Sequence, residues 1–177
     1  MTNRQETQAT PTVSATLAAN YGQQLRVRVC GLCWSGDKLL LVRHNGLGPL
    51  GYYWSPPGGG LNFGETIVDC LKREMLEETG LEVMVETLAF LNQYINPPLH
   101  AVEMFFICTP PPNPIDRTTL GTDPEQQIGT QLLTGVAWMT YAEILAIPAE
   151  ARHQSFLHAK TETEYRDLAG LLAADPA

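Results

Sequence analysis

The stretch that decides the fold is "GGGLNFGETIVDCLKREMLEETGLEV", residues 58–83. It opens on consecutive glycines, passes into a segment with helical spacing, and leaves through a glycine into alternating apolar residues. Ile67, Val68, Leu71 and Met75 fall within about a quarter turn of a helical wheel, the stripe an amphipathic helix buries. The spacing predicts a helix from about Glu65 to Thr79, closed by Gly80 in the left-handed conformation. Glu74, Glu77 and Glu78 crowd the end of that helix. There the macrodipole already places partial negative charge, and an exposed carboxylate costs roughly 0.3–1 kcal/mol. Their arc on the wheel overlaps the edge of the apolar stripe, so they border the core rather than occupy the wet side. Arg73, four residues before Glu77, offsets only part of the charge.

Most acidic clusters on helices are solvated faces. A hard divalent cation explains both oddities of this one, its helix end and its closeness to the apolar stripe. Magnesium takes oxygen ligands and is held by a few carboxylates together with waters and substrate phosphates. Carboxylates at i, i+3 and i+4 project from adjacent turns on one side of a helix, as such a site requires. Gly58, Gly59 and Gly60, just upstream, allow close backbone approach to a ligand. Beside the carboxylates they become candidates for shaping a metal–diphosphate pocket.

Working outward, "QLRVRVCGLCW" (24–34) and "KLLLVRHN" (38–45) read as strands around a hairpin turn. The glycine- and proline-rich segment 46–65 reads as loop. Residues 81–95 and 100–109 read as strands joined across "NPP", residues 132–140 as another strand, and "YAEILAI" (141–147) as a short helix. The turn-rich connection 110–131 has the length of a functional loop. Residues 1–20 read as a flexible arm or short helix, and 21–177 as a single domain closed by a C-terminal helix over about 150–172. Strands, a helix, more strands and a closing helix predict a mixed α/β sandwich rather than a regular βαβ alternation.

A net charge of -8 argues against general nucleic-acid affinity. It leaves small anionic substrates open, because a bound metal reverses the local sign. No apolar run approaches the ~20 residues that span a bilayer, and the N-terminus lacks a secretory leader, so a cytoplasmic location is expected. Cys30 and Cys33 share a strand, where residues three apart face opposite sides, so buried reduced thiols are expected rather than a metal site.

Gly59, five residues, Glu65, seven residues, then Arg73-Glu74-Met75-Leu76-Glu77-Glu78-Thr79-Gly80-Leu81 matches every fixed position of the box that defines the Nudix hydrolases. The chain resembles that family over roughly residues 22–148, and "WSPPGGG" (54–60) is similar to the family's approach to the box. The resemblance implies a Nudix fold, an α/β/α sandwich around a mixed sheet. It also implies metal-dependent hydrolysis of a nucleoside diphosphate linked to another group. It assigns Glu74, Glu77 and Glu78 to magnesium or manganese, Glu65 and Arg73 to orienting helix and loop, and Gly59 to the loop's turn. The general base falls to Glu74 or Glu77. A further acidic ligand from a later loop would be Glu125, with Asp123 as the alternative.

Arg43, Gly58, Gly60, Phe63 and Tyr94 are candidate substrate contacts. Tyr52, Tyr53 and Phe106 are further aromatics near the predicted site, and His44 accompanies Arg43. The expected substrate is a small nucleotide diphosphate, most simply a (d)NTP cleaved by a pyrophosphohydrolase. ADP-ribose or a nucleotide sugar is the alternative. Some ADP-ribose-cleaving members carry a proline sixteen residues past the box, where Pro97 stands, although "NPPLH" also reads as a plain turn. A non-catalytic nucleotide-binding module is the outside alternative. Neither nucleic acid nor membrane is expected as a partner, and a homodimer is left open.

Overall fold

Strand β1 (Leu25–Ser35) carries two interleaved apolar sets, Cys30, Leu32 and Trp34 on one face and Val29 and Cys33 on the other. Each set feeds a different core, as the period of two requires. The computed structural model describes residues 15–121, 132–168 and 171–174. A helix α1 (Ala15–Tyr21) precedes β1, which is followed by β2 (Lys38–Asn45), β3 (Tyr52–Ser55) and β4 (Gly58–Gly60). Helix α2 (Ile67–Thr79) leads into the long hairpin of β5 (Met84–Asn96) and β6 (Leu99–Thr109). After them come α3 (Pro114–Arg117), β7 (Leu133–Thr140), α4 (Tyr141–Ala146), α5 (Glu162–Arg166) and β8 (Leu171–Ala174).

The strands form one mixed sheet in the order β3-β2-β1-β6-β5-β8, with β4 paired to β1 and β7 to β2. β1 runs parallel to β6 from Leu25 opposite His100 to Cys33 opposite Cys108. On one face, Val29, Cys33, Leu40 and Cys108 pack against Cys70, Leu71 and Met75 of α2. On the other, Cys30, Leu32, Phe90 and Phe105 pack under Ile144, Phe156 and Tyr165. The Phe90 and Phe105 rings stack at 4.4 Å, and the Tyr165 hydroxyl donates to the Ser155 carbonyl at 2.7 Å. Elements thus cover both faces, giving the expected α/β/α sandwich. Cys30 and Cys33 diverge into the two cores, and all four cysteines are free and buried.

Three expectations need correction. Residues 150–172 do not form a closing helix: the chain makes 3₁₀ turns at Ala149–Ala151 and Gln154–Leu157, then α5, then β8, which pairs parallel to β5. The anchors here are Ala151, Phe156 and Tyr165, a spacing no single helical face matches. His153 and Thr161 restart the chain by accepting from the backbone N–H groups of Ser155 and Glu164. Segment 46–65 is not all loop, since it contains β3 and β4. Finally, α2 begins at Ile67 rather than Glu65, because Thr66 caps it by accepting from the Asp69 N–H. The "NPP" turn between β5 and β6 stands as expected, with Asn96 opposite Leu99. Residues 15–20 of the expected arm are helical.

Phe156 is 1 % exposed and closes the second face of the sheet. Phe156→Ala should cost about 3–5 kcal/mol in chemical denaturation. A loss below about 1 kcal/mol, the range of a surface site, would show that the C-terminal segment only overlies the sheet.

Candidate active site

Three glycines can be a strand only where another strand supplies the pattern. β4 is held by β1, with Arg28 opposite Gly60, Val29 opposite Gly59 and Cys30 opposite Gly58. Gly58 has φ +147°, and a Cβ there would overlap the Val29 carbonyl. A Cβ on Gly59 would overlap the Glu74 carboxylate. Glycine is therefore required at position 58 to dock the strand on β1, and at position 59 it leaves open the place where the Glu74 carboxylate sits.

Helix α2 brings its carboxylates to that seam. Glu74 and Glu78 are buried and Glu77 is half-buried. Arg73 gathers the acidic residues around its guanidinium. Nε and Nη2 donate to the two oxygens of Glu65 at 2.8 and 3.1 Å, and Nη1 donates to Glu74 at 2.8 Å and Glu77 at 3.1 Å. Nη2 also donates to the Gly60 carbonyl at 3.3 Å, tying the helix to β4. Glu78 accepts from the buried Gly58 N–H at 2.8 Å. The Arg73 hydrogen bonds hold the Glu65 carboxyl down at about 2, whereas burial pushes Glu74 up against the pull of Arg73. The helix end is not left bare either. The N–H groups of Thr119 and Gly121 donate to the carbonyls of Thr79 and Glu78 at 3.0 and 3.1 Å.

The structure thus brings Glu65, Arg73, Glu74, Glu77, Glu78, Gly58, Gly59 and Gly60 together. The other candidates are placed otherwise. Arg43 stacks over the Tyr52 ring at 4.8 Å, Phe63 is exposed to solvent, and Tyr94 accepts from Asn96 at 3.1 Å. Phe106 packs against the core under α2. His44 is pushed down to about 4 by burial, with the Arg28 charge adding to it. Glu125 and Asp123 lie outside the described residues.

A second charged cluster escaped sequence reasoning. Glu103 on β6 faces Arg28 Nε at 3.5 Å and accepts from Asn92 Nδ2 and His153 Nε2, each at 3.0 Å. The Ser155 N–H donates to His153 Nδ1 at 3.0 Å, which makes Nε2 the protonated nitrogen. Burial pushes the Glu103 carboxyl up, but the His153 ring, the Arg28 charge and the Asn92 amide bring it down to about 2. The signal that could have found this cluster is a lone glutamate in the apolar run "AVEMFFIC".

An oxygen-only donor set on adjacent helical turns, with two members buried, suits a hard divalent cation. In the structure the cation among them is Arg73, and among the described residues no three His, Cys, Asp or Glu side chains converge at metal-binding distance. A carboxyl whose folded pKa is raised contributes stability below its unfolded pKa, near 4.3, and loses it as pH rises through the folded value. Metal-free Glu74→Gln should therefore melt at or above wild type at pH 8, with the difference vanishing below about pH 4. A lower melting temperature at pH 8 in EDTA would show that the charged bond to Arg73 outweighs burial.

Comparison with known proteins agrees with this geometry. The family model for the NUDIX domain matches residues 23–160. A NUDIX hydrolase from Nitrosomonas europaea superposes with a TM-score of 0.61 at 23% identity, covering 84% of this chain and 93% of that one. A MutT NUDIX hydrolase from Burkholderia pseudomallei gives 0.54 at 19% identity, covering 67% and 85%. An RNA pyrophosphohydrolase from Bartonella clarridgeiae is 38% identical over 52 residues, which span 29% of this chain and only 30% of that relative. With the family model covering most of its length and an unbroken box folded into a glycine-backed carboxylate site, the chain belongs to the Nudix hydrolase family.

Proposed function

We propose that this protein is a divalent-metal-dependent pyrophosphohydrolase acting on nucleotides, with a (d)NTP as its substrate. The observation that carries the reading is the seating of Glu74 and Glu78 against Gly58 and Gly59, with Glu77 joined to Glu74 through Arg73. These three glutamates are the residues to hold magnesium or manganese. When bound, such an ion neutralises charge on the diphosphate oxygens and lowers the pKa of a water. The chain's own residues supply the remainder. Arg73 fixes Glu65, the helix and the glycine strand in one register. Burial raises the proton affinity of Glu74 against the pull of Arg73, the direction a general base needs. Pro97 lies in the β5–β6 turn, and a turn role accounts for it without an ADP-ribose substrate. Among the described residues no helix is long and apolar enough to cross a membrane.

The deciding experiment is phosphate release from dNTPs, ADP-ribose, a nucleotide sugar, dinucleoside polyphosphates and a 5′-triphosphorylated RNA, each with and without magnesium. Magnesium-dependent turnover of dNTPs is expected. Preference for ADP-ribose or the sugar would move the substrate, preference for RNA would place the protein with its Bartonella relative, and no turnover would favour a binding module. Glu77→Gln should lose more activity than the roughly 10- to 100-fold that removing an outer-shell partner costs. Magnesium at a hundred times its Kd should stabilise wild type by about 2.7 kcal/mol, seen as a raised Tm. Glu77→Gln should lose most of that shift.

A further inference from the structure

Gly58 is gripped at both of its main-chain polar groups. Its N–H donates to Glu78 at 2.8 Å, and its carbonyl accepts from Arg28 Nη2 at 3.3 Å. Arg28 sits in β1 between two register partners, Gly60 on β4 and Glu103 on β6. By alternation, Arg28 and Glu103 share the sheet face of Cys30 and Phe105, opposite α2. Burial works against the Arg28 charge, but Cys30, then Glu103, and then Glu78 and Glu74 across the glycine strand together raise its affinity for its proton. The guanidinium is thus poised between two acidic groups. Glu103 is fixed by Asn92 and by His153, whose tautomer the Ser155 N–H sets.

We propose that Glu103 is a positioning residue that works across the sheet: by holding Arg28 on the Gly58 carbonyl, it keeps this cation from competing with a metal ion for Glu78 and Glu74. The inference rests on the metal-binding reading of those two glutamates. The physical logic is a balance of charges. With Glu103 present, the pull on Arg28 is divided and its Nη2 rests on a backbone carbonyl. Neutralising Glu103 removes the carboxylate that pairs with Arg28 on its own face and shifts the balance toward the carboxylates of α2, so the guanidinium screens them and its hold on the Gly58 carbonyl loosens. Asn92 and His153 act one step further out, by holding Glu103 itself.

The test is a double-mutant cycle read by manganese binding, using calorimetry and the electron paramagnetic resonance of the free ion, on full-length wild type, Glu103→Gln, Arg28→Gln and the double variant. Glu103→Gln should weaken manganese binding roughly 10-fold or more. Its activity should require correspondingly more magnesium for half-saturation while kcat at saturating metal changes less. In the Arg28→Gln background the same substitution should change nothing, because the competing cation is gone. Manganese binding by Glu103→Gln equal to wild type would overturn the proposal, as would equal weakening in both backgrounds, which means action independent of Arg28. Should Glu103→Gln lose its near-ultraviolet circular dichroism, His153→Gln takes its place in the cycle, with weakened binding in the Arg28 background alone supporting the proposal and unchanged binding overturning it. A wild type that binds no manganese would overturn the metal reading, a result distinct from a wild type that binds it beside an indistinguishable Glu103→Gln.

Discussion

Where β4 passes between β1 and α2, a Cβ on Gly58 would overlap the Val29 carbonyl and one on Gly59 would take the place of the Glu74 carboxylate. This steric constraint governs the site. It brings main-chain N–H and carbonyl groups within reach of a helix that ends in acidic residues, so Glu78 can bond to Gly58 and Arg73 to Gly60. A larger residue at position 58 would lift β4 off β1, and one at position 59 would displace the Glu74 carboxylate from its seat, where unpaired charge is costly.

The sheet then determines what the constraint can be used for. Because β1 is paired with β4 on one side and with β6 on the other, a charge placed on β6 can act on the glycine strand through one intervening arginine. The two cores divide the work. The face under α2 fixes the depth of the helix through Cys70, Leu71 and Met75. The opposite face, stacked around Phe90 and Phe105, fixes the C-terminal segment that delivers His153 to Glu103.

Much of this was legible in the sequence, and the part that was not has a physical pattern. The box, the helix and its closing glycine could be read because they depend on spacing over a few turns, and Gly80 does cap α2 with φ +70°. The places of the longer strands along the chain were readable from alternation in "LRVRVCGLCW" and its successors, although their order in the sheet was not. β4 was missed because glycines carry no strand preference; its pairing is imposed by the main chain of β1. The C-terminal helix was wrongly expected because the anchors Phe156 and Tyr165 answer to aromatic rings on a distant sheet rather than to a local period. Arg28 and Glu103 lie far apart in the chain and meet only through the parallel register of β1 and β6. Arg43 and Phe63 were named by residue type, and the structure adds what spacing could not show, that Arg43 stacks on Tyr52 and Phe63 faces solvent.

Arg73 has a consequence for how the protein is made. Its guanidinium stands among Glu65, Glu74 and Glu77 as a built-in counter-ion, so the acidic helix meets its compensating charge within its own sequence. Small metalloproteins that lack such a residue cannot fold until the ion arrives, and their assembly follows metal supply. Here Arg73 balances the acidic helix from within the same segment, so the charge that the fold has to compensate is met without an ion.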